Sequence, residues 1–143
     1  MKTILLAVFI VVSAMTLQAQ DVLHLSINNK SIGEAPVNSE TPMVLQVSKA
    51  KYRNIKSLIL EYRQTQPVAA YKKSIEITDD KESVLYTGEE LSSKPGKFAI
   101  VSASSLKKLA KQNILKVYIL LNPRNDRMGM PSRRNLVAEL HMK

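Results

Sequence analysis

Four arginines crowd one short stretch of this chain, residues 122–135. Arginine carries planar, forked donors that match carboxylate and phosphate groups. With the amide and carboxylate groups around them, the arginines make a candidate binding patch for an anion or a protein partner: Arg124, Arg127, Arg133, Arg134, Asn122, Asn125 and Asp126. Pro123, Gly129 and Pro131 predict a loop here, and loops on a rigid scaffold commonly carry binding residues. The alternative is a solvated hairpin whose arginines pair with Asp126 or with nearby carbonyl groups.

Histidine and methionine side chains offer a second kind of site. His24, Met128, Met130 and His141 supply imidazole and thioether groups, the ligands that suit Cu(I). Both histidines are expected to point away from the core, and they would approach each other if the first and last strands were neighbours. These four residues are the candidate metal ligands, although their spacing matches no fixed ligand motif. The alternative is a set of surface side chains, with one methionine dipping into the core.

Catalytic motifs are missing from the sequence. It has no Gly-rich phosphate loop, no nucleophile elbow and no His-Glu-x-x-His. The acid pairs Asp79–Asp80 and Glu89–Glu90 are adjacent in sequence, so they face opposite sides of a strand or lie in a solvated turn. Neither pair resembles a buried acid/base couple. We therefore expect no enzymatic activity and no catalytic residues.

The first 20 residues predict export. Lys2 precedes an apolar run from Ile4 to Val12, and small and polar residues then lead to Ala19–Gln20. This order is typical of a secretory signal peptide, which we expect to span residues 1–19 and to be cleaved before Gln20. The alternative is a membrane anchor, but the run is shorter than the roughly 20 apolar residues of a spanning helix, so we expect cleavage and no transmembrane segment after it. The leader resembles signal peptides of Gram-negative bacteria of the Bacteroidota type.

The composition narrows the chemistry further. The 143 residues include no cysteine, which excludes thiolate zinc sites, iron–sulfur clusters and cysteine nucleophiles. Lysine and arginine number 21 against 12 acidic residues, a formal net charge of +9. A basic exported protein favours anionic partners. We expect an anionic envelope component or an acidic protein surface as partner, no nucleic acid and no cofactor.

The rest of the chain supplies the elements that would hold these residues. Several short segments alternate between apolar and polar side chains, which predicts half-buried strands. Their inward residues are expected to be Leu23, Leu25 and Ile27; Met43, Leu45 and Val47; Leu58, Leu60 and Tyr62; and Leu136, Ala138 and Leu140. Ser74–Thr78 and Val84–Thr87 flank the acidic turn Asp79–Glu82 and predict a hairpin. Residues 29–41, with Gly33 and Pro36, predict a polar loop.

The apolar period changes once, near residue 104. Leu106, Leu109 and Ala110 have helical spacing, so we expect a short helix over about residues 104–112, capped by Ser104 or Ser105. Its outward side chains are expected to be Lys107, Lys108 and Lys111.

These elements predict one fold. Ile114–Leu121 is the most apolar run after the leader, and it is apolar on both faces, so it should be a central strand. Seven to eight short strands and one short helix predict a single antiparallel, Ig-like β-sandwich over residues 20–143. The stretch Leu106–Leu140 resembles the C-terminal domains of the gliding-motility and type IX secretion protein GldM: a Lys- and Leu-rich helix, a Val-Tyr-Ile strand, a turn and a Leu-rich strand. Asn122–Asp126 stands where those domains have a Gly-Pro-Asp-Gly turn. The resemblance implies a sandwich fold and an envelope habitat.

An exported basic domain without catalytic motifs predicts a non-enzymatic interaction or structural module. Its expected place is the bacterial periplasm or cell envelope, or the outside of the cell. The alternative is a small periplasmic carrier of copper or another ligand that uses His and Met side chains. The sequence carries no signal for an oligomeric state.

Overall fold

Two β-sheets face each other in the computed structural model, which describes residues 21–37, 39–63, 71–123 and 132–143. The strands are β1 (Val22–Ile27), β2 (Lys30–Pro36), β3 (Met43–Val47), β4 (Leu58–Arg63), β5 (Tyr71–Thr78), β6 (Val84–Glu89), β7 (Lys97–Ile100), β8 (Ile114–Pro123) and β9 (Arg133–Met142). The described ranges also contain two short helices, α1 (Lys49–Arg53) and α2 (Ala103–Ala110). The four-stranded sheet has the order β2-β1-β4-β7, and the five-stranded sheet has the order β3-β9-β8-β5-β6. The predicted β-sandwich is confirmed, with nine strands in the described ranges rather than seven or eight.

The core lies between the two sheets and follows the predicted alternation. In β1 and β4 every second side chain is buried, and in β5 the same alternation holds from Lys73 to Ile77. β8 lies between β9 and β5, and it buries Leu115, Val117 and Ile119 completely, so it is the central strand that the sequence predicts. Full burial of one such side chain stabilises the fold by roughly 1.5–3 kcal/mol. Met43 was expected inside but is 40% exposed, because β3 is an edge strand.

The antiparallel pattern has one exception among the described strand pairs. β3 runs parallel to β9, with Val47 opposite Met142. β1 and β2 belong to the other sheet, so the first strands of the chain are divided between the two layers. α2 connects β7 in one sheet with β8 in the other. The sandwich thus combines a four-stranded sheet whose described pairs are all antiparallel with a five-stranded mixed sheet.

The first correction concerns residues 29–41, which the sequence predicts as a loop. Lys30–Pro36 forms β2, which pairs antiparallel with β1. Asn28 and Asn29 both have left-handed backbone, with φ angles of 51° and 64°, and Ile27 pairs directly with Lys30. This geometry is that of a two-residue type I′ turn, which asparagine tolerates better than most residues. The Asn-Asn pair was the sequence signal for this hairpin.

The helices show a second difference. α2 buries Leu106 and Leu109 as expected, but its N-cap is Ser102 rather than Ser104 or Ser105, and Ser102 makes no side-chain capping hydrogen bond. α1 has no counterpart in the sequence prediction. It has only five residues and one buried side chain, Tyr52, so it lacks the repeated apolar positions that identify a helix.

The predicted loop over residues 122–135 is shorter than expected. β8 continues to Pro123 and β9 begins at Arg133, so both ends of the loop are strand. The pairing of β8 with β9 shifts between Val117 and Tyr118, and this bulge buries Val137 beside Ala138 while Leu136 stays half-buried. Residues 124–131 lie outside the described residues.

Residues 1–20, which include the predicted signal peptide over residues 1–19, also lie outside the described part of the chain. Within that part, neither helix has the length and apolar character needed to cross a membrane.

Candidate functional site

Three of the seven candidate binding residues fall in the described strands. Asn122 is exposed near the end of β8, and Arg133 and Arg134 are exposed at the start of β9. Leu121 pairs with Arg133, so the three residues lie at one end of two neighbouring strands. Arg124, Asn125, Asp126 and Arg127 lie outside the described residues.

Arg134 is engaged by side chains of its own sheet. Its guanidinium lies 3.6 Å from the centroid of the Tyr118 ring. Its Nε donates to Oε1 of Glu76 at 3.0 Å, and Nη2 donates to the same oxygen. The hydrogen bond to Glu76 raises the pKa of Arg134 above its ordinary value. The forked donors of Arg134 thus connect β9 with β5 across the outer face of the sheet.

Glu82 joins this outer-face cluster from the turn between β5 and β6. Nζ of Lys116 donates to Oε1 of Glu82 at 2.8 Å, and the Tyr118 hydroxyl lies 2.8 and 2.7 Å from the two carboxylate oxygens. The hydrogen bonds from Lys116 and Tyr118 hold the pKa of Glu82 below its ordinary value. The sequence placed Glu82 in the acidic turn Asp79–Glu82 without a partner, because only the strand register brings Lys116 and Tyr118 to it.

The candidate metal ligands are separated by the sandwich. His24 lies on β1, where its Nδ1 is 3.1 Å from Oε1 of Glu34. His141 lies on β9, where its Nε2 is 3.0 Å from Oε2 of Glu139. The residues next to each histidine are buried, so the two imidazoles point outward from different sheets, and β1 and β9 are not neighbouring strands. The first and last strands therefore do not bring the histidines together, contrary to the condition set by the sequence hypothesis.

The other two proposed metal ligands, Met128 and Met130, lie outside the described residues. Within the described ranges, no group of three or more His, Cys, Asp or Glu side chains could hold a metal ion.

Positive charge is concentrated where α1 and α2 meet, at one end of the sandwich. Both helices lie there because β3 ends beside the last residues of β9, whose partner β8 begins just after α2. Residues 48–57 and 102–113 contain no acidic residue. Their seven cations are all exposed, and we call them the basic end: Lys49, Lys51, Arg53, Lys56, Lys107, Lys108 and Lys111. None of the seven has an ion pair with another described residue. The acidic turn Asp79–Glu82 lies at the same end of the sandwich, on its β5–β6 side.

A cleft of about 180 Å³ separates α1 from the end of α2. The lining residues are Lys49, Tyr52, Arg53, Ala110, Lys111, Gln112, Asn113 and Met142. The lining thus supplies three cations, two side-chain amides and no carboxylate. Pockets that enclose whole small molecules measure about 300–1,000 Å³, so this cleft suits one charged group rather than a large ligand. Its chemistry is that of an anion site.

Tyr52 adds an unusual feature to the cleft lining. The residue is 2% exposed, and its buried hydroxyl has no hydrogen-bond partner among the residues that the structure describes. Burial raises the pKa of Tyr52 far above its ordinary value, so the hydroxyl keeps its proton at neutral pH. A buried donor without an acceptor costs about 1–3 kcal/mol. The residue that carries this unpartnered donor is also one that lines the cleft.

The opposite side of α1 borders a second cavity, of about 270 Å³. Its lining combines four apolar residues with two lysines and three uncharged polar residues: Ile27, Ile32, Val47, Ala50, Lys30, Lys51, Asn28, Ser31 and Asn54. α1 is thus flanked by a basic cleft on one side and a mainly apolar cavity with lysines on the other.

Sequence reasoning found only part of this surface. It identified the outward lysines of α2, but it did not single out Lys49, Tyr52 or Arg53. A signal for them was present, since no acidic residue occurs between Glu40 and Glu61. No protein-family model matches the chain, and the search of curated proteins finds no match to it.

Proposed function

We propose that the protein is an exported, non-enzymatic binding module of the bacterial cell envelope that attaches to an anionic lipid surface through its basic end. The observation that carries the proposal is the set of seven exposed cations on two adjoining helical segments, with no ion pairs among the described residues. Each such cation near an anionic membrane surface contributes about 1 kcal/mol. The leader over residues 1–20 supports export, and the resemblance of Leu106–Leu140 to GldM domains supports an envelope habitat.

The basic end fits this role better than the arginines near β9. The forked donors of Arg134 are occupied by Glu76, whereas the cations of the basic end are unpaired within the described ranges. The apolar cavity beside α1 favours a lipid over an acidic protein surface, because a lipid combines an anionic headgroup with apolar chains. An acidic protein remains the competing outcome of the test.

Vesicle binding tests the proposal. The protein should co-sediment with vesicles that contain phosphatidylglycerol, but not with vesicles of phosphatidylcholine alone. Binding should weaken with salt, because the screening length falls from about 8 Å at 0.15 M to about 3 Å at 1 M. Absence of binding to anionic vesicles at low salt would contradict the proposal, and binding to polyglutamate alone would identify an acidic protein surface instead.

A matched pair of variants locates the binding surface. The triple variant Lys51→Gln, Lys107→Gln, Lys108→Gln should lose most of its vesicle binding. The control Lys72→Gln, Lys81→Gln, Lys94→Gln removes the same charge from exposed positions outside the basic end, and it should retain binding. Equal losses in the two variants would mean that net charge acts without a defined surface.

A further inference from the structure

We infer that the cleft between α1 and α2 is a binding site for a phosphate monoester, held by Lys49, Arg53 and Lys111. The group would come from a lipid headgroup or from free phosphate, which share the same terminal chemistry. The inference deepens the proposed function and rests on it only for the lipid source of the phosphate.

The charges in the cleft match a dianion. Three cations line it, and no described acidic residue does. A carboxylate carries one negative charge, whereas a phosphate monoester carries close to two at neutral pH and offers three acceptor oxygens. Arg53 can donate two parallel hydrogen bonds to such a group, and the lysines act as point charges beside it.

The backbone on both sides of the cleft is fixed before any ligand binds. The backbone N–H of Lys49 donates to the carbonyl of Lys143 at 2.7 Å, and the N–H of Met142 donates to the carbonyl of Asn113 at 2.9 Å. These bonds connect the start of α1 and the residues after α2 to the end of β9. A cleft held in this way needs little ordering when it binds, which favours affinity.

The unpartnered Tyr52 hydroxyl is an independent indication of a ligand. Buried polar groups almost always have a hydrogen-bond partner, so a buried donor without one calls for an explanation. Tyr52 lines the cleft, and a phosphate oxygen there would supply the acceptor. The small volume of the cleft fits a terminal phosphate rather than a whole nucleotide.

Phosphate titration of the full chain tests the site. Calorimetry in phosphate-free buffer should detect binding of inorganic phosphate, and acetate at matched ionic strength should bind far more weakly. The variant Lys49→Gln, Lys111→Gln should weaken phosphate binding by about tenfold, equivalent to about 1.4 kcal/mol. The control Lys72→Gln, Lys94→Gln removes the same charge from exposed positions outside both the cleft and the basic end, and its affinity should change by less than about twofold. Equal effects in both variants, or no phosphate binding by the unaltered protein, would overturn the site.

A conservative variant tests the role of the tyrosine. Tyr52→Phe keeps the buried ring and removes only the hydroxyl, so the protein should still fold. Phosphate should bind about fivefold more weakly to it, as expected for one lost hydrogen bond. Unchanged affinity in this variant would contradict Tyr52 as a ligand.

Lipid vesicles separate this inference from the proposed function. Phosphatidic acid carries a phosphate monoester, and phosphatidylglycerol carries a diester. The protein should prefer phosphatidic acid, free phosphate should reduce that preference, and Lys49→Gln, Lys111→Gln should abolish it. Equal binding to both lipids without competition by phosphate would overturn the site and leave the proposed function standing. Phosphate binding in the cleft without vesicle binding would overturn the proposed function and leave the phosphate site standing.

Discussion

Glu82 shows how one residue connects a turn to a sheet. Its backbone is left-handed, with φ of 65°, a conformation that glycine or asparagine usually occupies. Oδ1 of Asp79 organises the turn by accepting from the N–H groups of Lys81 and Ser83, both at 2.9 Å. The unfavourable backbone is tolerated because it directs the Glu82 carboxylate back to Lys116 and Tyr118.

The pKa of Glu82 leads to a prediction about pH. A carboxyl with a lowered folded-state pKa stabilises the protein above its unfolded pKa of about 4.3, and this contribution disappears as the pH falls through the lower folded value. Glu82→Gln should therefore reduce the free energy of unfolding at pH 7, and its difference from the unaltered protein should shrink below about pH 4. Urea unfolding at both pH values measures this. Asp80→Asn, in the same turn, is the control and should have a smaller effect at pH 7. If the effect of Glu82→Gln is the same at both pH values, the lowered pKa of Glu82 is not its cause.

Two tyrosines give opposite expectations for the same substitution. The Tyr52 hydroxyl is buried without a partner, so Tyr52→Phe should raise the free energy of unfolding by about 1 kcal/mol in phosphate-free buffer. The Tyr118 hydroxyl donates to Glu82, so Tyr118→Phe should lower the free energy of unfolding. Urea denaturation of both variants measures these changes in the free energy of unfolding. Destabilisation by Tyr52→Phe would mean that its hydroxyl has a partner in the free protein.

At the scale of elements, β8 organises the five-stranded sheet. It pairs with β5 and β9 along nearly its whole length, and its inward side chains lie in the core. Ile119→Ala should lower the free energy of unfolding by about 2–5 kcal/mol, because the lost methyl groups leave a cavity in a tightly packed region. Chemical denaturation measures this loss. Val101→Ala, at a position that is 67% exposed, should change it by no more than about 0.5 kcal/mol. Similar small effects at both positions would place β8 outside the core.

The turn between β1 and β2 separates backbone from side-chain effects. Oδ1 of Asn28 accepts from the N–H groups of Lys56 at 2.6 Å and Ser57 at 3.2 Å, which ties the turn to the start of β4. Asn29 has no such contact among the described residues. Asn28→Gly should therefore cost about 1 kcal/mol, while Asn29→Gly should be nearly neutral, since glycine accepts either left-handed position. Thermal unfolding compares the two variants. Equal melting temperatures would mean that the hydrogen bonds of the Asn28 side chain do not stabilise the turn.

At the scale of the whole molecule, charge is distributed unevenly. Residues 41–60 and 102–113 carry only positive charge, whereas Glu76, Glu82 and Glu139 lie on the outer face of the five-stranded sheet or in its β5–β6 turn and pair with nearby cations or His141. Such an asymmetric charge steers encounter with an anionic surface and orients the molecule on it. The basic end would face that surface.

The leader yields the prediction for the whole chain. Protein recovered after export from a Gram-negative host should begin at Gln20 or Asp21, because a signal peptidase cleaves after small residues such as Ala19. N-terminal sequencing or intact mass of the exported protein checks this. Recovery of exported protein that still begins with Met1 would contradict the signal peptide and favour a membrane anchor.

The fold class was predictable because it rests on local patterns. The alternation of Leu23, Leu25 and Ile27 and the apolar run Ile114–Leu121 follow from strand geometry and burial alone, and both were confirmed. Pro95–Gly96 is likewise a local turn pattern, and Gly96 has the positive φ, 82°, that glycine adopts without strain. α1 was not predictable, because a helix of five residues with one buried side chain has no repeated apolar positions.

The sequence by itself determined that the chain forms a basic β-sandwich with one helix of regular amphipathic spacing, because burial periodicity and net charge are written along the chain. Only the tertiary structure decided which charged side chains have no ion pair among the described residues. The strand register pairs Arg134 with Glu76 and Lys116 with Glu82. The sheet topology places His24 and His141 on different sheets. The cleft between α1 and α2 that Tyr52 lines could not be predicted from the sequence either. Its lining residues are about sixty positions apart, and they become neighbours only when β3 and β9 pair. A site built from such distant segments depends on packing, which no local pattern encodes.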